Sequence, residues 1–348
     1  MNAMNAQVDA GVHDGTSAAP PQLHDALKGN GVKPLAPMEA PDERTDAGVA
    51  TTLPFVSVII PVYNDSEKLQ ACIEALASQS YPRERYEVIV VDNASDGHHK
   101  EAIERICRDV RLEHEPRASS YAARNRGISR AQGAVLAFTD SDCIPDHDWL
   151  LKGVQHLGSQ PNCGLVVGPV EFYSEERNGK PNACELYDSI VHFRQEEFTT
   201  KHRFGCTANV FTYKAVVDKV GGFDHDLKSG GDAEWGQRIF AGGFDQLFAR
   251  DLVVKHPSRG SLRKLVRKGT RLIGGVVDRE KKRGVTFGEI LRREGRAFKG
   301  LNNLIGDKTK WVASPSRAEL HAICLAIHAA RAIELCRLQF FGKVSRRS

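Results

Sequence analysis

The segment Ala137-Phe138-Thr139-Asp140-Ser141-Asp142-Cys143 ends an apolar run in two carboxylates set two residues apart. Alternate residues of an extended chain share a face, so Asp140 and Asp142 project side by side. Like charges that close repel one another unless a cation neutralises them, which makes the pair a candidate cation site. The same acids could cap the turn that Cys143-Ile144-Pro145-Asp146 begins, and the pair alone does not separate the two readings. Two further polar clusters close apolar runs in the same way, Tyr63-Asn64 and Asp92-Asn93-Asp96. Another acid, Asp232, follows Gly230-Gly231 at the head of a short amphipathic stretch, where an N-cap is its plainest role.

These clusters need elements to hold them. Residues 55–61, Phe-Val-Ser-Val-Ile-Ile-Pro, form an apolar, β-branched run, the pattern of a strand buried on both faces. EKLQACIEALASQS then sets Leu69, Cys72, Ile73, Leu76 and Ala77 at helical spacing, with Asp65 or Ser66 to cap the helix and Tyr81-Pro82 to stop it. The unit recurs as YEVIVVDNASDG and a helix carrying Ile103, Ile106, Cys107 and Val110, and a third strand over 134–139 delivers the acid pair. Such alternation predicts an α/β fold with a mainly parallel sheet flanked by helices, whose ligands sit beyond the carboxyl ends of the strands. All three polar clusters fall at that edge, which capping alone explains poorly. Residues 164–168 read as another strand, 173–205 as mixed helix and loop, and the glycines around Asp232 as a tight turn into a helix.

A chain of 348 residues with 7% aromatic and 26% charged residues fits a soluble globular enzyme of one large domain or two ordinary ones. Its eight cysteines include no C-x-x-C pair and read as reduced, mostly buried thiols. Residues 1–53, rich in Ala, Gly, Pro, Asp and His without apolar periodicity, predict a disordered leader with no secretory signal, and hence a cytoplasmic protein. The net charge of +4 conceals an asymmetry, for residues 257–348 hold 22 Lys+Arg against 7 Asp+Glu and residues 1–256 hold 26 against 37. The two parts are expected to have different neighbours.

Seven motifs in order, VSVIIPVYND, YEVIVVDNASDG, AARNRGISRAQG, LAFTDSDC, VGGFD, GGDAEWGQR and HPSR, resemble those of the family 2 glycosyltransferases over residues 54–260. The resemblance implies a GT-A type, Rossmann-like catalytic domain over 54–258, with 54–142 binding the nucleotide and 143–258 the acceptor. It implies that Pro61, Tyr63 and Asn64 line the nucleoside pocket, that Asp92 bonds the base with Asn93 and Asp96 beside it, and that Arg124 and Asn125 face the nucleotide and its phosphates. Asp140 would reach the ribose or the metal, and Asp142 and His256 would hold Mn²⁺ or Mg²⁺ on the diphosphate. Asp232 aligns with the general base of an inverting transfer, and Asn209 and Glu234 with acceptor support. The implied partners are a nucleoside-diphosphate sugar and a hydroxyl of a glycan or lipid-linked glycan of the cell envelope. Two departures stand out: Gly231 occupies a position where many members carry a second acid, and the Gln-x-x-Arg-Trp motif of processive synthases is absent, so transfer of a single sugar is expected.

Residues 259–348 lie beyond the resemblance. Leu262, Leu265, Val266, Ile273 and Val276 interleave there with Arg263, Lys264, Arg267, Lys268 and Arg271, the pattern of a basic amphipathic helix. Residues 320–340 are apolar but carry Arg331, Glu334 and Arg337, charges that cost about 2.5–3.5 kcal/mol each in mid-bilayer, so no membrane span is expected. This basic helical extension is expected either to lie on an anionic membrane face, the inner one, or to pack on the acidic domain. A nucleic-acid partner is not expected, because neither a motif nor aromatic interleaving accompanies the charge. Two other functions compete with sugar transfer. A sugar-1-phosphate nucleotidyltransferase would need a glycine-rich Arg/Lys loop after the first strand, and a non-catalytic sugar-nucleotide-binding subunit would not need Asp140, Asp142, Asp232 and His256 together.

Overall fold

The structure, a computed structural model, describes residues 53–175, 181–308 and 314–341. All but the last residue of the expected leader lie outside them. The predicted alternation is present as β1 (Val56–Val62), α1 (Ser66–Ala77), β2 (Tyr86–Asp92), α2 (Gly97–Ile106), β3 (Arg111–His114), α3 (Ser120–Arg130) and β4 (Val135–Thr139). The chain continues through β5 (Ile144–Pro145), α4 (Trp149–Gly158), β6 (Cys163–Val167), β7 (Val170–Tyr173), α5 (Ala183–Val191), α6 (Gln195–His202), β8 (Asn209–Tyr213) and α7 (Lys214–Val220). It then forms α8 (Gly231–Ala241), β9 (Asp245–Phe248), β10 (Val254–Pro257) and three long helices, α9 (Leu262–Lys282), α10 (Phe287–Lys308) and α11 (Ser314–Phe340).

The main sheet has the order β3-β2-β1-β4-β8-β6-β9. It is mainly parallel, as expected, with β8 alone antiparallel to both its neighbours. Alternate residues of β1 feed opposite layers, Val58 and Ile60 meeting Leu69 and Trp149 on one face while Ile59 meets Phe138 and Trp235 on the other. Burial on both faces explains the unbroken apolar run. The reversal of β8 matters for the site. Because Thr139 pairs with Asn209, the residues leading into β8, Thr207 and Ala208, emerge at the rim where β1, β2 and β4 end. A second sheet, β5-β10-β7, sets β10 against β5, which lies just beyond Asp142 in the chain.

Helices α9 to α11 are not detached from this frame. Leu265, Leu320, Ile323 and Ile327 pack with Tyr187 and Val191 of α5. A second cluster, Ile273, Val277, Ile290, Leu335 and Leu338, joins the three helices to one another. Helix α9 also meets the loop before α8 backbone to backbone, since a Cβ added to Gly275 would lie 2.5 Å from the Ser229 carbonyl oxygen. The eight cysteines are free thiols, five of them buried. Among the described residues no helix is long and apolar enough to cross a membrane.

Candidate active site

A cleft of about 480 Å³ follows the rim of the main sheet. Helix α3, started by the Ser119 side chain accepting from the Ala122 N–H, lays Tyr121 and Arg124 along its wall. Arg124 is buried and donates from Nη2 to Asp140 Oδ1 at 2.5 Å, while its Nε has no hydrogen-bond partner. Its guanidinium thus keeps an unpaired buried N–H while the residue lines the cleft.

Strand β10 brings His256 to Asp142, with Nε2 to Oδ2 at 3.3 Å. His256 Nδ1 lies 2.6 Å from the Pro257 carbonyl, which can only accept, so Nδ1 carries the ring proton and Nε2 offers its lone pair to the cleft. Burial pulls the imidazole below its usual pKa despite the Asp142 charge, favouring this neutral, ligating form. Ligand atoms of Asp140, Asp142 and Cys143 lie within 4.8 Å of one another. Cys143 is fully buried, and burial holds its thiol well above the usual range, so it is a neutral core group and no ligand for a hard cation. Two carboxylates remain, hard oxygen donors that fit Mg²⁺ or Mn²⁺, with the His256 imidazole beside Asp142 but outside that cluster of ligand atoms.

Sequence reasoning gave Asp65 only a capping role, yet its side chain makes no cap bond. It lines the cleft instead, accepting from Ser141 Oγ at 3.4 Å, and burial together with the Asp142 charge raises its pKa to about 6. Its place at a strand end beside the acid pair was the available signal.

Asp232 enters on α8. Gly230 occupies the cap position in the left-handed region, at φ +79°, so Asp232 is inside the helix and not its N-cap. The Gly231 N–H donates to Tyr121 Oη at 2.9 Å, and a Cβ on Gly231 would stand 2.7 Å from the tyrosine ring. No acid fits at this position, because the tyrosine fills its place. Thr207, delivered by the reversed strand β8, donates from Oγ1 to Asp232 Oδ1 at 2.9 Å. Burial raises the Asp232 pKa, with the Arg124 charge and the Thr207 bond opposing it. Nothing in the sequence around Thr207 marks it.

The other expected site residues divide into two groups. Pro61, Tyr63 and Asn93 line the cleft at the β1–β2 end. Asn64, Asp92 and Asp96 are outside that lining and hold its loops. Asn64 adopts φ 49°, donates its N–H to Ser95 Oγ at 2.9 Å and accepts from the Asp96 N–H at 3.1 Å, while buried Asp92 accepts from the Ser95 N–H at 3.1 Å. Asn125 also faces away, exchanging two 2.8 Å hydrogen bonds with the Phe223 backbone. Glu234 pairs with Arg238 at 2.8 Å, and Arg238 in turn grips the carbonyls of Val220, Gly221 and Gly222.

Asn209 is fully buried, donating to the Pro169 and Leu252 carbonyls at 2.8 and 2.6 Å and accepting from Trp149 Nε1 at 2.9 Å. Asn209→Ala orphans all three partners. It is expected to lower stability by about 1–3 kcal/mol or more in denaturant unfolding while the folded protein keeps its ligand affinity. An affinity loss without destabilisation would return Asn209 to the site.

Helix α9 supplies the wall that sequence reasoning left outside the catalytic domain. Lys268 and Arg271, three residues apart and therefore on one helix face, line the cleft with Arg259 and Arg279.

Residues 57–221 match the family model described as glycosyl transferase family 2. Glycosyltransferase AglE of Haloferax volcanii is 38% identical over 257 residues, covering 72% of this chain and 74% of that protein. A dolichyl N-acetyl-alpha-D-glucosaminyl phosphate 3-beta-D-2,3-diacetamido-2,3-dideoxy-beta-D-glucuronosyltransferase of Methanococcus voltae is 23% identical over 227 residues, 62% of this chain and 70% of its own. Among solved structures, mannosyltransferase PcManGT from Pyrobaculum calidifontis, in complex with GDP-Man and Mn²⁺, aligns with a TM-score of 0.55 at 20% identity, over 81% of this chain and 88% of that one. At that identity the likeness is one of fold.

Proposed function

The chain belongs to glycosyltransferase family 2, and from that premise we propose that it transfers a single sugar, with inversion, from a nucleoside-diphosphate sugar to an acceptor hydroxyl, with Asp232 as general base. One observation carries the reading: a single cleft holds Asp142 against His256, the half-paired Arg124 and the threonine-fixed Asp232. A divalent cation held by Asp140, Asp142 and His256 would neutralise the diphosphate leaving group. Arg124 adds a fixed positive charge for the same group and needs no reorganisation to do so. Tyr63 and Pro61 take the nucleoside end. Thr207 holds Asp232 Oδ1, which leaves Oδ2 to receive a proton. The acceptor oxygen bonds to the anomeric carbon on the face opposite the breaking carbon–diphosphate bond, its proton passes to Asp232, and configuration inverts.

A panel of nucleotide sugars tests this by thermal stabilisation with and without Mn²⁺, since a ligand bound only by the native state raises the melting temperature. GDP-mannose comes first, because the structural neighbour holds it. One donor is expected to stabilise only when metal is present, and the product's anomeric configuration, read by NMR, is expected to be opposite to the donor's. Retained configuration would rule out direct displacement.

A glycan or lipid-linked acceptor and peripheral contact with an anionic membrane belong to the same reading, and α11 supports the contact. Its exposed residues Ala322, Leu325, Ala329, Ile333, Cys336 and Phe340 recur at helical spacing as an apolar stripe about 27 Å long. Leu325, Ile333 and Phe340 are 60%, 71% and 70% exposed. The helices packed on α11 carry exposed Arg263, Lys264 and Arg267 on α9 and Arg292, Arg296 and Lys299 on α10. Apolar surface joined to positive charge suits an anionic bilayer surface on the cytoplasmic side. Changing Leu325, Ile333 and Phe340 together to aspartate is expected to abolish co-sedimentation with phosphatidylglycerol vesicles, and 0.5 M salt to weaken that of the unaltered protein, on the order of a shortened Debye length. Undiminished sedimentation of the triple variant would exclude this face.

A further inference from the structure

We infer that the α9 wall of the cleft is an anion subsite for the acceptor, so that the acceptor carries a phosphate group close to the hydroxyl it offers. The inference rests on the reading of Asp232 as the base. Lys268 is 10% exposed, and among the described residues its ammonium makes a loose 3.9 Å ion pair with Asp188 and no hydrogen bond. Asp188 is already engaged by His192 at 2.6 Å and by the Arg259 backbone and side chain at 3.0 and 3.1 Å. One carboxylate thus serves two cations, and Lys268 holds the longer of the two ion pairs. The ring of Phe193, 4.8 Å from its nitrogen, is its other neighbour. One turn along, Arg271 lines the same cleft with no hydrogen bond or ion pair among the described residues, and the charges that act on it include Asp232 and Asp140. Two such cations side by side repel each other, and burial with the Arg259 charge brings Lys268 down to about 7. An anion bound between them relieves both penalties.

A cation held by Asp140, Asp142 and His256 would, together with Arg124, serve the donor's diphosphate. The charges that act on Arg271 include Asp232, beside which the attacking hydroxyl must lie, as well as Asp140 of the donor site. A phosphate attached to the acceptor near that hydroxyl falls within reach of Arg271 and Lys268, and their N–H donors match its oxygens.

Calorimetry on the full chain tests this, first saturating it with Mn²⁺ and GDP or UDP, whichever binds, and then titrating inorganic phosphate. Phosphate is expected to bind the nucleotide-loaded protein, and Lys268→Met and Arg271→Met to weaken it ~10- to 100-fold each at unchanged melting temperature and unchanged nucleotide affinity. Arg271→Lys, which keeps the charge, should restore part of the loss. Citronellyl phosphate and mannose 1-phosphate then separate a lipid phosphate from a sugar phosphate by which binds more tightly. If phosphate competes with the nucleotide, or Arg271→Met weakens nucleotide and phosphate alike, these cations serve the donor and the inference is overturned. Equal phosphate binding by wild type and variants overturns it too. A repeat without nucleotide keeps the result separate from the donor reading, which fails on its own if neither GDP nor UDP binds.

Discussion

Asp232→Asn is expected to cut turnover about 10²–10⁴-fold while donor affinity stays nearly constant, the usual contribution of a positioned general base. The substitution keeps shape and hydrogen-bonding reach, since the amide oxygen can still accept from Thr207 Oγ1, which donates to the aspartate at 2.9 Å. What it removes is the ability to take a proton. A capping role cannot mimic this outcome, because Gly230 holds the cap position and the Asp232 side chain makes no cap bond. The pH profile gives a second readout. Burial raises the Asp232 pKa, so turnover should fall on the acid side at a higher pH than an ordinary carboxylate would give, as the base becomes protonated. In Asp232→Asn that limb should disappear along with the activity. Near-normal turnover in the variant would remove Asp232 from the reaction.

Asp142→Ala is expected to weaken Mn²⁺-dependent binding of the nucleoside diphosphate by more than about 100-fold, beyond the 10- to 100-fold typical of residues that only support a metal ligand. The fold should survive, because Asp142 is a rim carboxylate with 23% of its side chain exposed, whose contacts are with His256 and the neutral Cys143. The partner left behind, His256, keeps its bond to the Pro257 carbonyl and its contacts with the Phe172 and Phe193 rings, so it stays oriented. The expected signature is therefore a loss of metal dependence with the melting temperature of the free protein little changed. Calorimetry with and without Mn²⁺ reads it directly, and equal affinity in variant and wild type would reduce the acid pair to a turn.

The sequence by itself determined the frame and one edge of the cleft. Parallel strands buried on both faces announce themselves as apolar runs, and their shared direction puts every strand end on one rim. Asp140, Asp142 and Tyr63 were legible for that reason, since their positions follow from local pattern and the rule that ligands sit at carboxyl ends. Asp232 was legible as a candidate from its glycine punctuation and the family likeness. Side-chain roles set by distant partners were not. Asn125 bonds the backbone of Phe223, 98 residues away, and Asn209 that of Leu252, 43 residues away, so both are consumed in holding loops. Thr207 reaches Asp232 because β8 runs against its neighbours, a pairing that no residue of the segment encodes alone. Lys268 and Arg271 belong to the site because α9 folds back on the loop at Ser229. A polar residue's function depends on which of its hydrogen bonds the fold has already satisfied, and long-range packing decides that.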